Sequence, residues 1–420
     1  MTRADGMGSC GLRVLMLTGE YPPQRGGVAD YTARLADGLR QLGHQVSVLT
    51  SQAASGAGDD GLTFRQVRDW GFGCWPTVEA AVAKLRPDVV HIQYQAGAYQ
   101  LKGAVNLLPL WLRRRRRLRL RTVTTFHDLR VPYLFPRAGP LRELAVRVLV
   151  QTSHAAIFVD PIDLDRAGSG PCRRWIPVGS NVACPPPDGF DRDRVRRALG
   201  VADGDLLVGY FGFLSASKGA HTLLKALRHL LDDGRPVRLA LIGATAGASN
   251  PSDRGDEVDA LALARSLGLD NRLELTGYLP PAELSARLLA CDLLALPYTD
   301  GVSFRRGSLL AGLEHGLPIV TTTPAPGAHG SSPRRLEPGR HFLAVPPNDP
   351  PALAAAIARL IDDPQLRALL GREARLLAAQ CTWKAIATET AQVYVDCLGR
   401  PARPGARGPG AGDNRSAPAC

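Results

Sequence analysis

What these 420 residues lack narrows the field first. The eight cysteines stand far apart, at Cys10, Cys74, Cys172, Cys184, Cys291, Cys381, Cys397 and Cys420, with no Cys-x-x-Cys pair and no Cys/His cluster. That scatter argues against a structural zinc and suits reduced thiols in a cytoplasmic protein. No run of about 18 apolar residues occurs, so no membrane-spanning helix is expected. Leu12 to Thr18 is better read as a first strand than as the apolar core of a secretory signal. No G-x-G-x-x-G follows that strand, which removes the dinucleotide fingerprint. Acidic residues are outnumbered, 39 Asp and Glu against 51 Lys and Arg, for a net charge of +12. Such a balance suits phosphorylated small molecules, anionic lipid or nucleic acid.

What is present is apolar patterning in quantity, 45% hydrophobic over a length that supports two domains with their own cores. Leu12 to Leu17 predicts a strand, Ala29 to Leu42 a helix and Gln45 to Thr50 a second strand. Between the first two lies a loop, Thr18 to Gly27, whose Gly26 and Gly27 permit close approach of a ligand to the backbone. A helix is expected over Val78 to Leu85 and a buried strand over Asp88 to Tyr94. Another helix spans roughly residues 102 to 120, and a strand over Thr122 to Phe126 ends at His127 and Asp128. Further elements are expected at Arg142 to Thr152, Ala155 to Val159 and Trp175 to Val178. This alternation predicts an α/β fold with a doubly wound parallel sheet, whose strand carboxyl ends face a ligand crevice. A Pro-rich linker at 183–189 separates residues 11–182 from a second α/β series at 190–382. A last amphipathic helix spans 383–399, and the Pro/Gly/Arg-rich stretch 400–420 is expected to be a disordered tail.

The most informative stretch is Leu293 to Thr323. It predicts a strand, a Gly-containing loop, a helix from about Gly307 capped by Ser303, a Gly316-Leu-Pro318 turn, and a strand from Ile319. The helix N-terminus, with unpaired N–H groups and a positive dipole end, points at the crevice, and Arg305 and Arg306 precede it.

Taken in order, several segments together carry a resemblance. They are Tyr21-Pro-Pro-Gln-Arg-Gly-Gly27, Thr125-Phe-His127, Ile176-Pro-Val-Gly179, Gly209 to Gly219, Leu275-Thr-Gly-Tyr-Leu279, the 293–323 stretch and Val345-Pro-Pro-Asn-Asp-Pro350. Over roughly residues 12 to 399 the chain resembles the retaining, nucleotide-sugar-dependent glycosyltransferases of family four, once called group 1. The resemblance implies the GT-B fold: two Rossmann-like domains facing a central cleft, with 11–182 on the acceptor side, completed by helix 383–399, and 190–382 holding the donor. It implies hexosyl transfer from a nucleotide-diphosphate sugar to a glycan, glycolipid or lipid-linked acceptor, in cell-envelope polysaccharide or glycolipid synthesis. No cofactor and no metal are implied; Asp163-Leu-Asp165 matches the Asp-x-Asp metal motif only of the other major glycosyltransferase fold.

By the same resemblance His127 and Lys218 are the catalytic candidates. Gly26, Gly27, Lys218, Gly219, Ser303, Arg305, Arg306, Gly307 and Ser308 are the donor-binding candidates, with Arg305 and Arg306 read from the residues themselves as restoring positive charge against phosphate, and Tyr21, His91 and Asp128 are candidates for the acceptor side or the cleft. Two departures stand out. Phe213 takes the place of an arginine partner to the diphosphate, and Ser303 and Ala311 stand where the family has a Glu-(seven residues)-Glu pair. Glu314, about one turn beyond Ala311, is not expected to substitute. The departures leave an alternative, a non-catalytic partner protein that binds a nucleotide or glycan. The run Arg113 to Arg117 has three readings: a solvated helix face, an anionic membrane surface contact at the inner face of the plasma membrane, and, least, nucleic acid, for which no aromatic platform is present.

Overall fold

The computed structural model describes residues 11–24, 26–54, 61–115, 120–129, 139–168, 172–182, 186–243, 252–326 and 334–399. Arg25, Arg116, Arg117, part of the 183–189 linker, much of the polar loop after Gly243 and the 400–420 stretch lie outside them.

The first half comprises β1 (Arg13–Thr18), α1 (Gly27–Gln41), β2 (Gln45–Ser51), β3 (Thr63–Val67), α2 (Cys74–Leu85), β4 (Val89–Tyr94) and α3 (Ala104–Arg114). It continues with β5 (Arg121–Phe126), α4 (Gly139–Thr152), β6 (Ala155–Phe158), α5 (Pro161–Ala167) and β7 (Arg173–Trp175). Among the described residues its strands form one parallel seven-stranded sheet in the order β3-β2-β1-β4-β5-β6-β7. The central strands are buried on both faces; in β4 all six residues are buried, the polar His91 and Gln93 among them.

The second half comprises α6 (Arg192–Ala198), β8 (Leu206–Phe211), α7 (Ala220–Asp232), β9 (Val237–Ile242), α8 (Ser252–Ser266), β10 (Leu273–Gly277) and α9 (Pro281–Ala290). After these come β11 (Leu293–Leu296), α10 (Gly307–Glu314), β12 (Ile319–Thr322), β13 (Leu343–Val345), α11 (Pro350–Asp362), α12 (Pro364–Ala378) and α13 (Trp383–Leu398). Its sheet is again parallel, ordered β10-β9-β8-β11-β12-β13. The final helix returns to the first sheet: Ile386, Ala387, Val393, Tyr394 and Cys397 of α13 join Val14, Tyr31, Leu35, Val123 and Ile157 in one core.

Both sheets reverse their strand order, between β1 and β4 in the first and between β8 and β11 in the second. Loops leaving neighbouring strands at such a point diverge and leave a crevice at the carboxyl ends. In the second sheet the two loops at the reversal are tied together. The Thr299 N–H donates to the Ser217 carbonyl at 3.1 Å, and Gly219 sits so close to Pro297 that a Cβ there would lie 1.9 Å from its carbonyl oxygen. Gly219 also has φ +71°, a conformation that side-chain-bearing residues rarely adopt.

Several expectations shift. The strand expected at Trp175 to Val178 lies earlier, at Arg173–Trp175, and the helix expected over about 102 to 120 is described only over Ala104–Arg114. Ser303 does not cap α10: the N-cap is Arg306, with no side-chain cap, and the Ser303 hydroxyl is buried without a partner. The reason is length, since the loop continues three residues beyond Ser303 before turning helical.

Gly219→Ala is expected to destabilise the second half by about 1–3 kcal/mol, through its positive φ and the contact with Pro297. Urea unfolding followed by circular dichroism checks this; an unchanged midpoint would mean the two loops do not depend on each other.

Candidate functional site

The crevice of the second sheet is built from two loops. After β8 the chain turns at Gly212, with φ +127°, and a Cβ there would lie 2.1 Å from the Lys218 ammonium nitrogen. Lys218 therefore folds back over the turn, 5.3 Å from the centroid of the Phe213 ring, a cation–π arrangement. The Tyr210 hydroxyl donates to the Phe213 carbonyl at 2.7 Å and fixes the turn from below. Gly219 then opens α7, whose N-terminus stands beside Lys218.

After β11 the second loop carries Tyr298, Asp300, Ser303, Arg305 and Arg306 into α10. Tyr298 and Ser308 share a hydroxyl–hydroxyl bond of 2.7 Å, and the Arg306 guanidinium lies 4.6 Å from the Tyr298 ring centroid. Two cations at a helix N-terminus oppose the positive end of its dipole. Asp300 resolves that conflict: its carboxylate accepts from Arg305 at 2.5 Å and from Arg306 through its other oxygen. Arg305 also reaches across the cleft, 3.6 Å from Asp160, the N-cap of α5 in the first half. Phe304 packs edge-on against Trp175 with ring centroids 5.4 Å apart. The carboxyl ends of the two sheets thus face each other. Arg305 and Arg306, expected to stand ready for phosphate, are engaged by carboxylates in this state.

On the first-sheet side, Gly26 is the extended N-cap of α1, and open space surrounds the Cβ position of Gly27. His127 follows β5. Its Nε2–H donates to Gln93 Oε1 at 3.0 Å, and Tyr31 meets its ring edge-on with centroids 4.6 Å apart. Burial pushes its pKa down to about 3, so the imidazole is neutral at physiological pH. Asp128 shares a small cavity with Tyr94, Lys102, Asn106 and Arg142, and Asn106 donates to the Tyr94 hydroxyl at 3.0 Å. Asp163, buried near Asp160 and Asp128, accepts from the Leu129 N–H at 3.2 Å; burial first and those carboxylates second push its pKa up to about 6. Among the described residues no group of three or more His, Cys, Asp or Glu side chains is arranged to hold a metal ion.

Two expected cleft residues are not in the cleft. His91 is fully buried, with Nδ1 2.6 Å from the Tyr394 hydroxyl and Nε2 2.8 Å from Thr125 Oγ1, because β4 is central and both its faces are covered. Tyr21 packs in the core of the first half, with its hydroxyl against Thr63 and Arg40. Glu314 lies at the far end of α10, in a cavity shared with Ser180, Cys381 and Trp383. Asp160, Asp300 and Gln93 were not singled out from the sequence. Asp160-Pro161 had a legible signal, an acidic N-cap before a first-turn proline; Asp300 looks like any Asp-Gly turn.

Away from the cleft, Phe72, Trp75 and Trp111 form a surface aromatic cluster with successive centroids 5.0 and 5.1 Å apart. Arg115 lies 5.1 Å over the Trp111 ring, and Arg113 and Arg114 beside it are exposed.

The buried His91 has a pKa pushed down to about 3, mainly by desolvation and secondarily by His127. Below an unfolded-state pKa of about 6.5 the unfolded chain takes up a proton there that the folded chain refuses, so this residue's contribution is lost as pH falls. His91→Gln is therefore expected to narrow its stability gap to the parent as pH drops from 7 to 4.5, by up to about 1.4 kcal/mol per pH unit. Urea titrations of both proteins across that range check it; a constant gap would mean that His91 is protonated in the fold.

Residues 205–363 match the family model for glycosyl transferases group 1, and residues 26–168 the model for a glycosyl transferase 4-like domain. The D-inositol 3-phosphate glycosyltransferase of Corynebacterium jeikeium is 32% identical over 229 residues, which is 53% of this chain and 51% of that protein. The enzyme of the same name from Corynebacterium efficiens is 33% identical over 224 residues, 52% and 50% of the two chains. The chain spans about half the length of the curated relatives it matches. Among solved structures, sucrose-phosphate synthase from Thermosynechococcus elongatus superposes with a TM-score of 0.71 at 21% identity, over 91% of this chain and 98% of that one. HepE of Anabaena, solved in complex with UDP-glucose, gives 0.70 at 21% identity, over 91% and 99%. Those two likenesses concern the fold. With two facing parallel-sheet halves and both family models in register along it, the chain belongs to the group 1 glycosyl transferases of family four, on the GT-B fold.

Proposed function

We propose that the protein transfers a hexosyl group from a nucleoside-diphosphate sugar, with retention at the anomeric carbon and without a resident metal. The observation that carries this reading is the pair of tied loops at the second sheet's order reversal, which set Lys218 at the N-terminus of α7 and Arg305 and Arg306 at that of α10. A departing diphosphate needs cations and unpaired N–H groups held in place beforehand, and this crevice offers both. Lys218 and the α10 N-terminus with Ser308 take the diphosphate, Gly219 and Gly307 allow the close backbone approach, and Gly26 and Gly27 face it from the first half. Arg305 and Arg306 join once phosphate displaces Asp300. His127 stands beside the donor sugar as a neutral hydrogen-bonding group.

The acceptor sits on the first-half side, near Asp128, Asn106 and Tyr94. Lys102 and Arg142 on the same small cavity favour an acceptor bearing an anionic group, a sugar phosphate or a lipid-linked phosphate. The names of the D-inositol 3-phosphate relatives support that class. A glycan or glycolipid of the cell envelope fits the same reading, with the protein cytoplasmic and peripheral to the inner face of the plasma membrane. The aromatic cluster of Phe72, Trp75 and Trp111, flanked by Arg113 to Arg115, suits the headgroup region of an anionic bilayer.

One observation favours a second reading, a non-catalytic binding partner. Both arginines are engaged by Asp300, and Phe213 occupies a position where a cation would help.

Incubation with a panel of nucleotide sugars, following nucleotide release with and without sugar-phosphate and lipid-phosphate acceptors, separates the two. Acceptor-dependent release is expected, reduced about 100-fold or more in Lys218→Ala, whereas Asp300→Asn is expected to tighten nucleoside-diphosphate binding and steepen its salt dependence. Binding without turnover across the panel would favour the second reading. Flotation with vesicles containing anionic lipid is expected to carry the protein at low salt, and Trp111→Ala with Arg114→Ala to abolish this. No flotation of the parent protein would remove the membrane contact.

A further inference from the structure

A fully buried parallel-sheet core tolerates polar side chains only where they are paired, since an unpaired buried polar group costs about 1–3 kcal/mol. Yet His91, Gln93 and Tyr394 all lie there with no exposure at all. They form a chain. Tyr394 of α13 bonds His91 Nδ1 at 2.6 Å, and Thr125 holds His91 Nε2 at 2.8 Å. The Gln93 amide nitrogen rests on the His91 ring, 3.3 and 3.4 Å from its two nitrogens. The Gln93 carbonyl oxygen then accepts from His127 Nε2 at 3.0 Å. Residues 303 apart in sequence are thus joined, through Gln93, to His127.

The last bond of this chain has a fixed direction, because an amide oxygen only accepts. With its amide nitrogen turned to His91, Gln93 presents only its carbonyl oxygen to His127, so Nε2 must carry the proton. Nδ1 of His127 makes no hydrogen bond among the described residues, and the residue is only partly buried. Its lone pair is left available. A second arm from α13 braces the same ring: Trp383 packs edge-on against Tyr31 with centroids 5.2 Å apart, and Tyr31 against His127 at 4.6 Å.

We propose that Gln93, His91 and Tyr394 are positioning residues that hold His127 in its Nε2-protonated tautomer, with Nδ1 as a hydrogen-bond acceptor in the cleft, and that α13 is thereby part of the site. The proposal rests on the reading of His127 as the donor sugar's neighbour. Its ligand chemistry follows: Nδ1 receives a hydroxyl group of the bound sugar and repels an anionic one. The return helix, which follows the second half in the chain, sets the orientation of a side chain in the first.

Long-range proton–nitrogen correlation spectra of histidine-labelled full-length protein, with His127 assigned by its loss in His127→Gln, test this without any substrate. The groups facing the ring are Gln93 from β4, Tyr31 from α1 and, behind Gln93, His91; Asp128 follows it in the chain. The parent is expected to show the Nε2-protonated neutral ring. Gln93→Leu, and Tyr394→Phe to a smaller degree, are expected to give a mixture of tautomers. Gln93→Glu is expected to keep the Nε2–H bond and raise the pH at which the ring titrates. An Nδ1-protonated ring in the parent, or an unchanged tautomer in both Gln93→Leu and Tyr394→Phe, would overturn the proposal. Should Gln93→Leu not fold, Tyr394→Phe, which keeps the ring and its packing, decides alone. In the transfer assay Gln93→Leu is expected to lower kcat about 10-fold or more with donor KM little changed, the size of effect seen when an outer partner of a ligating histidine is removed. A tautomer that behaves as described in a protein with no transfer activity would sink the functional reading and leave the positioning role standing.

Discussion

A single carboxylate organises the second half's side of the cleft. Asp300 holds two guanidinium groups at the start of α10, where the helix dipole alone would repel them. In doing so it aims Arg305 at Asp160, and that contact, together with Phe304 on Trp175, is one of several that set one half of the molecule against the other. Charge pairs of this kind, with all members largely buried, contribute more to geometry than to stability, because desolvation offsets much of the attraction. Such pairing is exchangeable. A diphosphate offers the same bidentate geometry as a carboxylate with more charge, so the arginines can move from one anion to the other with little rearrangement.

The parts legible in the sequence were those governed by local pattern. A central strand such as β8 shows as an apolar run because both faces are covered, and the strand-loop-helix of 293–323 shows by its Gly-Leu-Pro turn and small-residue helix. Short or edge strands such as β3 and β7 carry too few residues for a period to be visible. The site was harder. Lys218 and its loop stood out through the family resemblance of Gly209 to Gly219, and the structure shows that Gly212 and Gly219 there answer a local backbone need. His91 was misplaced for the opposite reason: its partner is a tyrosine near the other end of the chain, and nothing in the vicinity of residue 91 announces it. Asp300 was overlooked because an Asp-Gly pair in a loop usually signals a turn, and only the packed loop shows that its carboxylate serves two arginines.

The departures from the family pattern also acquire a physical setting. Phe213 replaces a cation but provides a ring face for the one that remains, restraining Lys218. Ala311 lies fully buried within an apolar cluster with Leu294 and Leu309, so a carboxylate there would need a partner that the surrounding side chains do not supply. Ser303, Ala311 and the arrangement of Asp300 with two arginines thus all lie on one loop-helix unit.

The chain passes between the two halves twice, once after Gly179 and once before α13, and the two passages touch. The Trp383 indole N–H donates to the Ser180 carbonyl at 2.6 Å, and its ring lies so close to Gly179 that a Cβ there would be 2.7 Å away. Two strands pinned at one spot behave as a hinge with a defined axis, whereas two separate tethers would allow sliding and twist. A rotation about this indole would carry the rim at Arg305 and Asp160 along an arc and bring the halves back in the same register.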